Sequence, residues 1–260
     1  MTIEESKEKL KKEGYTWFEL NEFDPEFYNW LQHLKCNEEN NLKDKMTYLR
    51  ADARKVEYKK NISSEGEEVV QNILLDVKIA DNFETFESAS HKKQELADLF
   101  KNDTAVINSQ MWYYNELNVI IKEGEQLSKY KSYVENLVKY YFDFEETQKF
   151  SLFAPMFTYY DSDCQLKNHS DGTGTGRVCA LLIYLNEEYD ENDGGILVLN
   201  NTEKVIPTFG RIAIIDLQTF DIPHMVTMVT GGIGRYALLS FVKTKENELI
   251  HSNVEMKHIL

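Results

Sequence analysis

Two rhythms of apolar and polar residues run along this chain of 260 residues, and the change between them falls near position 150. In the front part, apolar residues recur at three- and four-residue intervals over 85–101 and 124–141, the spacing of one face of a helix. Leu127, Tyr130, Tyr133, Val134, Leu137 and Tyr141 form a single predicted buried stripe. A charged segment at 2–13 is also predicted to be helical, with Gly14 as its break. A further helix is predicted over 24–35, where Asp-Pro supplies an N-cap followed by proline at the first helical position.

From residue 151 the spacing shortens. Candidate strands cover 153–160, 178–185, 195–199, 211–216, 224–230 and 235–242, separated by Gly and Asn turns. Segments such as VCALLIYL and RIAIID are apolar on both faces, as expected of strands sandwiched between layers. Gly194-Gly195 and Gly231-Gly232 are predicted hairpin turns. Many short strands at regular spacing predict a sandwich or barrel. No internal repeat, low-complexity tract or Gly/Pro/Ser linker interrupts the chain, and the segment after Lys243 reads as a polar surface appendage.

Composition narrows this picture. With 42% hydrophobic and 28% charged residues, the chain can build one sizeable core. The net charge of −15 is spread along the sequence and keeps the protein soluble; it repels phosphate backbones, which argues against nucleic acid as a partner. No run of about 18 apolar residues predicts a membrane span, and the segment MTIEESKEKLKK does not resemble a signal peptide. Cys36, Cys164 and Cys179 form no CxxC pair, so neither zinc nor a disulfide framework is expected, and a cytoplasmic location fits.

Chemistry gathers in the strand-rich part. His169-Ser170-Asp171 puts an imidazole and a carboxylate two residues apart, on the same side of an extended chain. Such a triplet is common by chance. His224, 55 positions on at the head of HMVTMVT, offers a third ligand from a distant strand. Two imidazoles and one carboxylate on one face of an octahedral metal leave three positions open, which suits Fe(II) that must also hold a bidentate cosubstrate and O₂. If Gly231-Gly232 closes a two-residue hairpin, Met228 faces Arg235 and His224 faces Leu239. His224 and Arg235 then share a face, separated by roughly 13 Å at about 3.3 Å per residue. A five-carbon diacid chelating the metal would reach a guanidinium there, whose planar fork matches a carboxylate.

Tyr160, His169-Ser170-Asp171, Arg177, Tyr184-Leu185-Asn186, Gly194-Gly195, Pro207-Thr208-Phe209-Gly210-Arg211, His224 and Arg235 follow one another over about 90 residues. In order and spacing this series resembles the prolyl-hydroxylase branch of the Fe(II)/2-oxoglutarate dioxygenases. The run GRVCALLIYLNEEYDENDGGILVL is especially similar to the oxygen-sensing prolyl hydroxylases. Two departures stand out: Asp163 replaces a usual glycine, and Arg235 stands eleven positions after His224, slightly more than is typical of the family.

The resemblance implies a mainly β fold with flanking helices (α+β), a double-stranded β-helix of the jelly-roll or cupin-like type over 146–245. Residues 1–145 would form a mostly helical support packed on it, and 246–260 a carboxy-terminal tail. It further implies that His169, Asp171 and His224 hold Fe(II), that Arg235 pairs with the far carboxylate of 2-oxoglutarate, and that Tyr184 donates to the same group. Tyr160 matches another cosubstrate position, which Tyr159 would fill if the strand is bulged. Leu197 and Val226 would line the apolar wall. The implied reaction hydroxylates an unactivated C–H with O₂, releasing succinate and CO₂, with ascorbate in a supporting role. Halogenating members carry a small residue where Asp171 stands, so hydroxylation is favoured. The substrate class stays open between a peptidyl proline and a free amino acid or other small metabolite. A non-redox cupin-like metal protein is a distant alternative that gives no reason for Arg235 or Tyr184. Among the remaining signals, Arg177 reads as structural, Gly172–Gly176 as a mobile flap, and Trp112 as core rather than recognition surface.

Overall fold

Strand β7 (Arg177–Tyr184) is apolar on both faces, and every residue after Arg177 is buried. A strand of this kind needs a covering layer on each side. The computed structural model describes residues 1–34, 42–62, 68–102, 106–117, 125–173, 176–231 and 234–245. In it β7 lies between β10 (Arg211–Asp216) and β12 (Arg235–Thr244), paired antiparallel with both. On the far side of β12 runs β5 (Phe150–Tyr160). The sheet is widened at one edge by β1 (Tyr15–Glu19) and at the other by β4 (Val106–Glu116), β2 (Tyr48–Ile62) and β3 (Glu68–Asn82). The result is eight strands in the order β1-β10-β7-β12-β5-β4-β2-β3.

A second, four-stranded antiparallel sheet contains β6 (Leu166–His169), β8 (Leu197–Leu199), β9 (Glu203–Val205) and β11 (His224–Val226), in the order β6-β11-β8-β9. From β5 to β12 the chain therefore passes back and forth between the two sheets, and this winding is a double-stranded β-helix. Its inner strands need partners on both edges, and each finds them in its own sheet.

The helices form where the sequence pattern predicts. In α1 (Ile3–Glu13), Thr2 and Glu5 close a capping box, and Gly14 ends the helix in the left-handed conformation. α2 (Leu20–Phe23) is a single turn. Asp24 accepts from the Phe27 N–H at the start of α3 (Pro25–Leu31). α4 (Phe86–Asn102) follows β3, and α5 (Glu125–Phe142) precedes β5. The predicted stripe of α5 is real: Tyr130, Val134, Leu137 and Tyr141 are fully buried, and Leu127 and Tyr133 pack against the same core. The Tyr130 and Ser240 hydroxyls meet at 2.8 Å and pin α5 to β12. Ser240 and Arg235 alternate to opposite faces of β12, so α5 covers the outside of the large sheet.

Ahead of residue 145, four strands stand beside the predicted helices. β2 carries charged residues at close intervals (Arg50, Asp52, Arg54, Lys55, Glu57), which hides any apolar alternation. β2 pairs with β3 on one side and with β4 on the other, and the far edge of β4 joins β5.

The two glycine pairs do not make the predicted hairpins. β11 pairs with β6 and β8, whereas β12 pairs with β5 and β7, so His224 faces His169 and Leu199 rather than Leu239. A ten-residue apolar strand buries more surface in the middle of the large sheet than at the edge of the small one. β11 also stops at Val226. Gly232 and Ile233 lie outside the described residues, as do Cys36, His251, His258 and the tail after Lys245. Gly194 and Gly195 join a short 3-10 turn (Glu191–Asp193) to β8 and both hold positive φ. A Cβ on Gly194 would strike the Met228 carbonyl oxygen, and one on Gly195 the Tyr189 hydroxyl, so both places require a bare backbone.

Candidate metal centre

The register of β6 and β11 sets His169 directly opposite His224. Their rings lie 4.3 Å apart between centroids. Asp171, two residues beyond β6, turns its carboxylate toward both: Oδ1 is 3.7 Å from His169 Nε2 and Oδ2 is 3.6 Å from His224 Nε2. One ligand atom from each of the three side chains falls within 4.8 Å of the others, the span of a shared metal ion.

The supporting hydrogen bonds set the chemistry of the nitrogens. His169 Nδ1 lies 2.9 Å from the Lys167 carbonyl, and His224 Nδ1 lies 3.0 Å from that of Ile222. A carbonyl can only accept, so each Nδ1 carries the hydrogen and each Nε2 presents a lone pair to the centre. Burial holds the His224 imidazole below its ordinary pKa, against the upward pull of Asp171, and the neighbouring His169 lowers it further. A neutral ring is the form that binds a metal. The His169 side chain keeps 36% of its exposure against 7% for His224, so the cluster opens to solvent on the His169 side.

The large sheet presents a buried cation. Arg235 is 1% exposed. It pairs across strands with Tyr160, and its neighbour Ala237 pairs with Tyr184, so alternation brings Arg235, Tyr160 and Tyr184 to one face. The guanidinium carbon lies 4.8 Å from the Tyr160 ring and 5.0 Å from that of Tyr184, and Nη2 is 3.4 Å from the Tyr184 hydroxyl. No carboxylate among the described residues pairs with Arg235, and its Nε is buried without a hydrogen-bond partner. Taking a guanidinium out of water costs several kcal/mol unless a counter-charge is supplied. A carboxylate from a bound diacid would supply it.

Of the two tyrosines left open by the sequence, Tyr160 is the one beside Arg235. Tyr159 points to the other face and stacks on Tyr236 at 4.4 Å. Val226 and Leu197 are register partners, both buried, and Val226 shares the face of His224 two residues earlier. Arg177 packs its guanidinium 4.2 Å from the Phe241 ring, in keeping with a structural role. Of the Gly172–Gly176 segment, Gly174 and Thr175 lie outside the described residues. Cys164 and Cys179 are buried free thiols whose pKa values burial raises, which removes them as nucleophiles.

Three features escaped the sequence reading. Trp112 of β4 stacks nearly parallel on Tyr160, 6.3 Å between ring centroids, which extends the Arg235 row onto the next strand. Tyr189 directs a buried hydroxyl with no partner toward the same region. Lys93 of α4 is buried and donates to Asp161 Oδ1 at 3.1 Å and to the Ser162 carbonyl at 2.8 Å, which clamps the turn leading into β6. No local motif marks any of them, because each acquires its role through a partner on a distant element. Removing one member of a buried ion pair leaves the other uncompensated. Lys93→Met is therefore expected to lower unfolding free energy by about 3 kcal/mol and to weaken Mn(II) binding, read by denaturant melts and metal titration.

A double-stranded β-helix with two histidines and an aspartate at its mouth defines the non-haem metal oxygenases that bind a cosubstrate beside the metal. Residues 155–243 match the family described as the 2OG-Fe(II) oxygenase superfamily, and with the intact triad of His169, Asp171 and His224 this supports 2-oxoglutarate-dependent dioxygenase activity. No curated protein sequence matches it. Among solved structures it is similar to a Pseudomonas putida prolyl-4-hydroxylase, at 12% identity and a TM-score of 0.50 over 93% of this chain and 98% of that one. It is also similar to a Trichoplax adhaerens prolyl hydroxylase in complex with a hypoxia inducible factor oxygen degradation domain peptide fragment, at 13% identity and a TM-score of 0.50 over 94% and 90% of the two chains. At these identities the likeness is one of fold.

Proposed function

We propose that the protein is a peptidyl prolyl hydroxylase, with His169, Asp171 and His224 as its Fe(II) ligands. Arg235 and Tyr184 bind the far carboxylate of 2-oxoglutarate, Tyr160 closes that end of the pocket, and Leu197 and Val226 form its apolar wall. The observation that carries the cosubstrate assignment is the buried guanidinium of Arg235, which lies between Tyr160 and Tyr184 and has no carboxylate partner among the described residues. When bound, Fe(II) with 2-oxoglutarate and O₂ supplies the oxidation of an unactivated C–H, releasing succinate and CO₂.

The protein's own residues prepare that step. The Lys167 and Ile222 carbonyls hold the two imidazoles through Nδ1 and leave Nε2 as the ligand atom of each. Tyr160, Tyr184, Leu197 and Val226 are all buried and exclude water from the cosubstrate end. Leu197 and Val226 leave the α-keto acid no polar competitor there, and Arg235 sets its direction of entry. The opening beside His169 is where substrate would approach, and an open mouth suits a peptide better than a closed cavity would. The similar fold of two prolyl hydroxylases, one of them holding a peptide, also supports a peptidyl substrate.

The test is mass spectrometry of proline-containing peptides incubated with Fe(II), ascorbate and 2-oxoglutarate. Gain of one oxygen on proline is expected. Oxidation of free amino acids or small metabolites with none on any peptide would refute the peptidyl reading and leave the oxygenase class standing. Because the Asp171 carboxylate fills the place a halide would take, reactions in high chloride or bromide should yield hydroxylated product alone. A chlorinated product from the unmodified enzyme would contradict that assignment.

A further inference from the structure

Tyr189 follows the Tyr184-Leu185-Asn186 strand end and leads into the 3-10 turn before Gly194. Its ring is half-buried, but its hydroxyl is sealed from solvent and has no hydrogen-bond partner. The hydroxyl is directed over Gly195. A Cβ built there would collide with it and would also stand 3.3 Å from Arg235 Cδ and 3.2 Å from Val229 Cγ2. The Tyr189 hydroxyl and the Arg235 side chain thus both lie close to Gly195. Burial pushes the Tyr189 phenol up to about 12, partly offset by Arg235, so it stays a protonated donor.

Two polar groups without partners, Tyr189 Oη and Arg235 Nε, are therefore buried in the same small region. Leaving a buried hydroxyl unpaired costs stability, and a fold tolerates the cost where a ligand later supplies the acceptor. A carboxylate offers about four lone-pair sites. A guanidinium fork takes two of them, and the Tyr184 hydroxyl a third. We propose that Tyr189 is a further cosubstrate-binding residue, donating the remaining hydrogen bond to the far carboxylate of 2-oxoglutarate. This rests on the assignment of Arg235 to that carboxylate.

The experiment compares unmodified protein, Tyr189→Phe and Arg235→Met, each loaded with Mn(II), by calorimetric titration with 2-oxoglutarate and separately with oxalate. Oxalate chelates the metal but has no distal carboxylate. Tyr189→Phe should weaken 2-oxoglutarate about five- to thirtyfold, the worth of one neutral donor, and leave oxalate unchanged. The metal-free variant should melt at or above the unmodified temperature, since an unpaired buried hydroxyl has been removed.

Unchanged 2-oxoglutarate affinity in Tyr189→Phe, with Arg235→Met impaired, would overturn this proposal alone. Equal loss for oxalate, or a melting temperature several degrees lower, would show a structural role and overturn it as well. If Arg235→Met binds 2-oxoglutarate normally, the underlying assignment fails first, whatever Tyr189→Phe does.

Discussion

Asp171→Ala and His224→Ala will each abolish succinate formation while leaving the circular dichroism spectrum that of the folded protein. Loss of an outer partner of a metal ligand costs about 10–100-fold, and loss of a ligand itself should exceed that. The Asp171 carboxylate faces the two imidazoles from a turn beyond β6, so its removal leaves the strand pairing intact. His224 is more deeply set. Its substitution forfeits burial and the bond to Ile222, about 1–2 kcal/mol for the hydrogen bond, which a domain stable by about 5–15 kcal/mol tolerates. Succinate formation near the unmodified rate in either folded variant would rule out these residues as the iron site.

Arg235→Met should weaken 2-oxoglutarate binding by roughly 10²–10³-fold, because breaking a buried ion pair costs about 3–5 kcal/mol. Arg235→Lys keeps the charge and loses the fork, so its defect should be smaller. Tyr184→Phe removes one neutral donor and should cost about 1–2 kcal/mol. Stability should move the other way. Without cosubstrate the Arg235 charge is buried and unpaired, so the metal-free Met variant should melt no lower than the unmodified protein. Calorimetry with Mn(II) in place of iron reads affinity without turnover. Wild-type affinity in Arg235→Met would require another basic residue at the far carboxylate, with Arg177 and Arg211 the first to test.

Arg235 was legible in the sequence for a reason that the structure corrects. A hairpin pairing β11 with β12 would bring His224 and Arg235 together on one sheet. Instead they belong to facing sheets, and the cosubstrate would span the gap between them. Arg235 comes to lie beside Tyr160 and Tyr184 because β12 is registered against β5 and β7. Alternation along one strand cannot reveal that register.

The sequence by itself determined what is local. The two-residue spacing of His169 and Asp171 puts their side chains on one side of an extended chain. Continuous apolar runs make β7, β10 and β12 inner strands, and the apolar stripe of α5 fixes its buried face. Only the tertiary structure decided which strands are neighbours: β11 with β6 and β8, the charged β2 between β3 and β4, and Tyr160 rather than Tyr159 beside the guanidinium. It also decided that Tyr189 reaches over Gly195 toward Arg235. Side-chain periodicity is written into neighbouring residues. Strand partnership depends on backbone hydrogen bonds and layer packing between segments far apart in the chain, and the backbone groups that make those bonds are the same at nearly every residue.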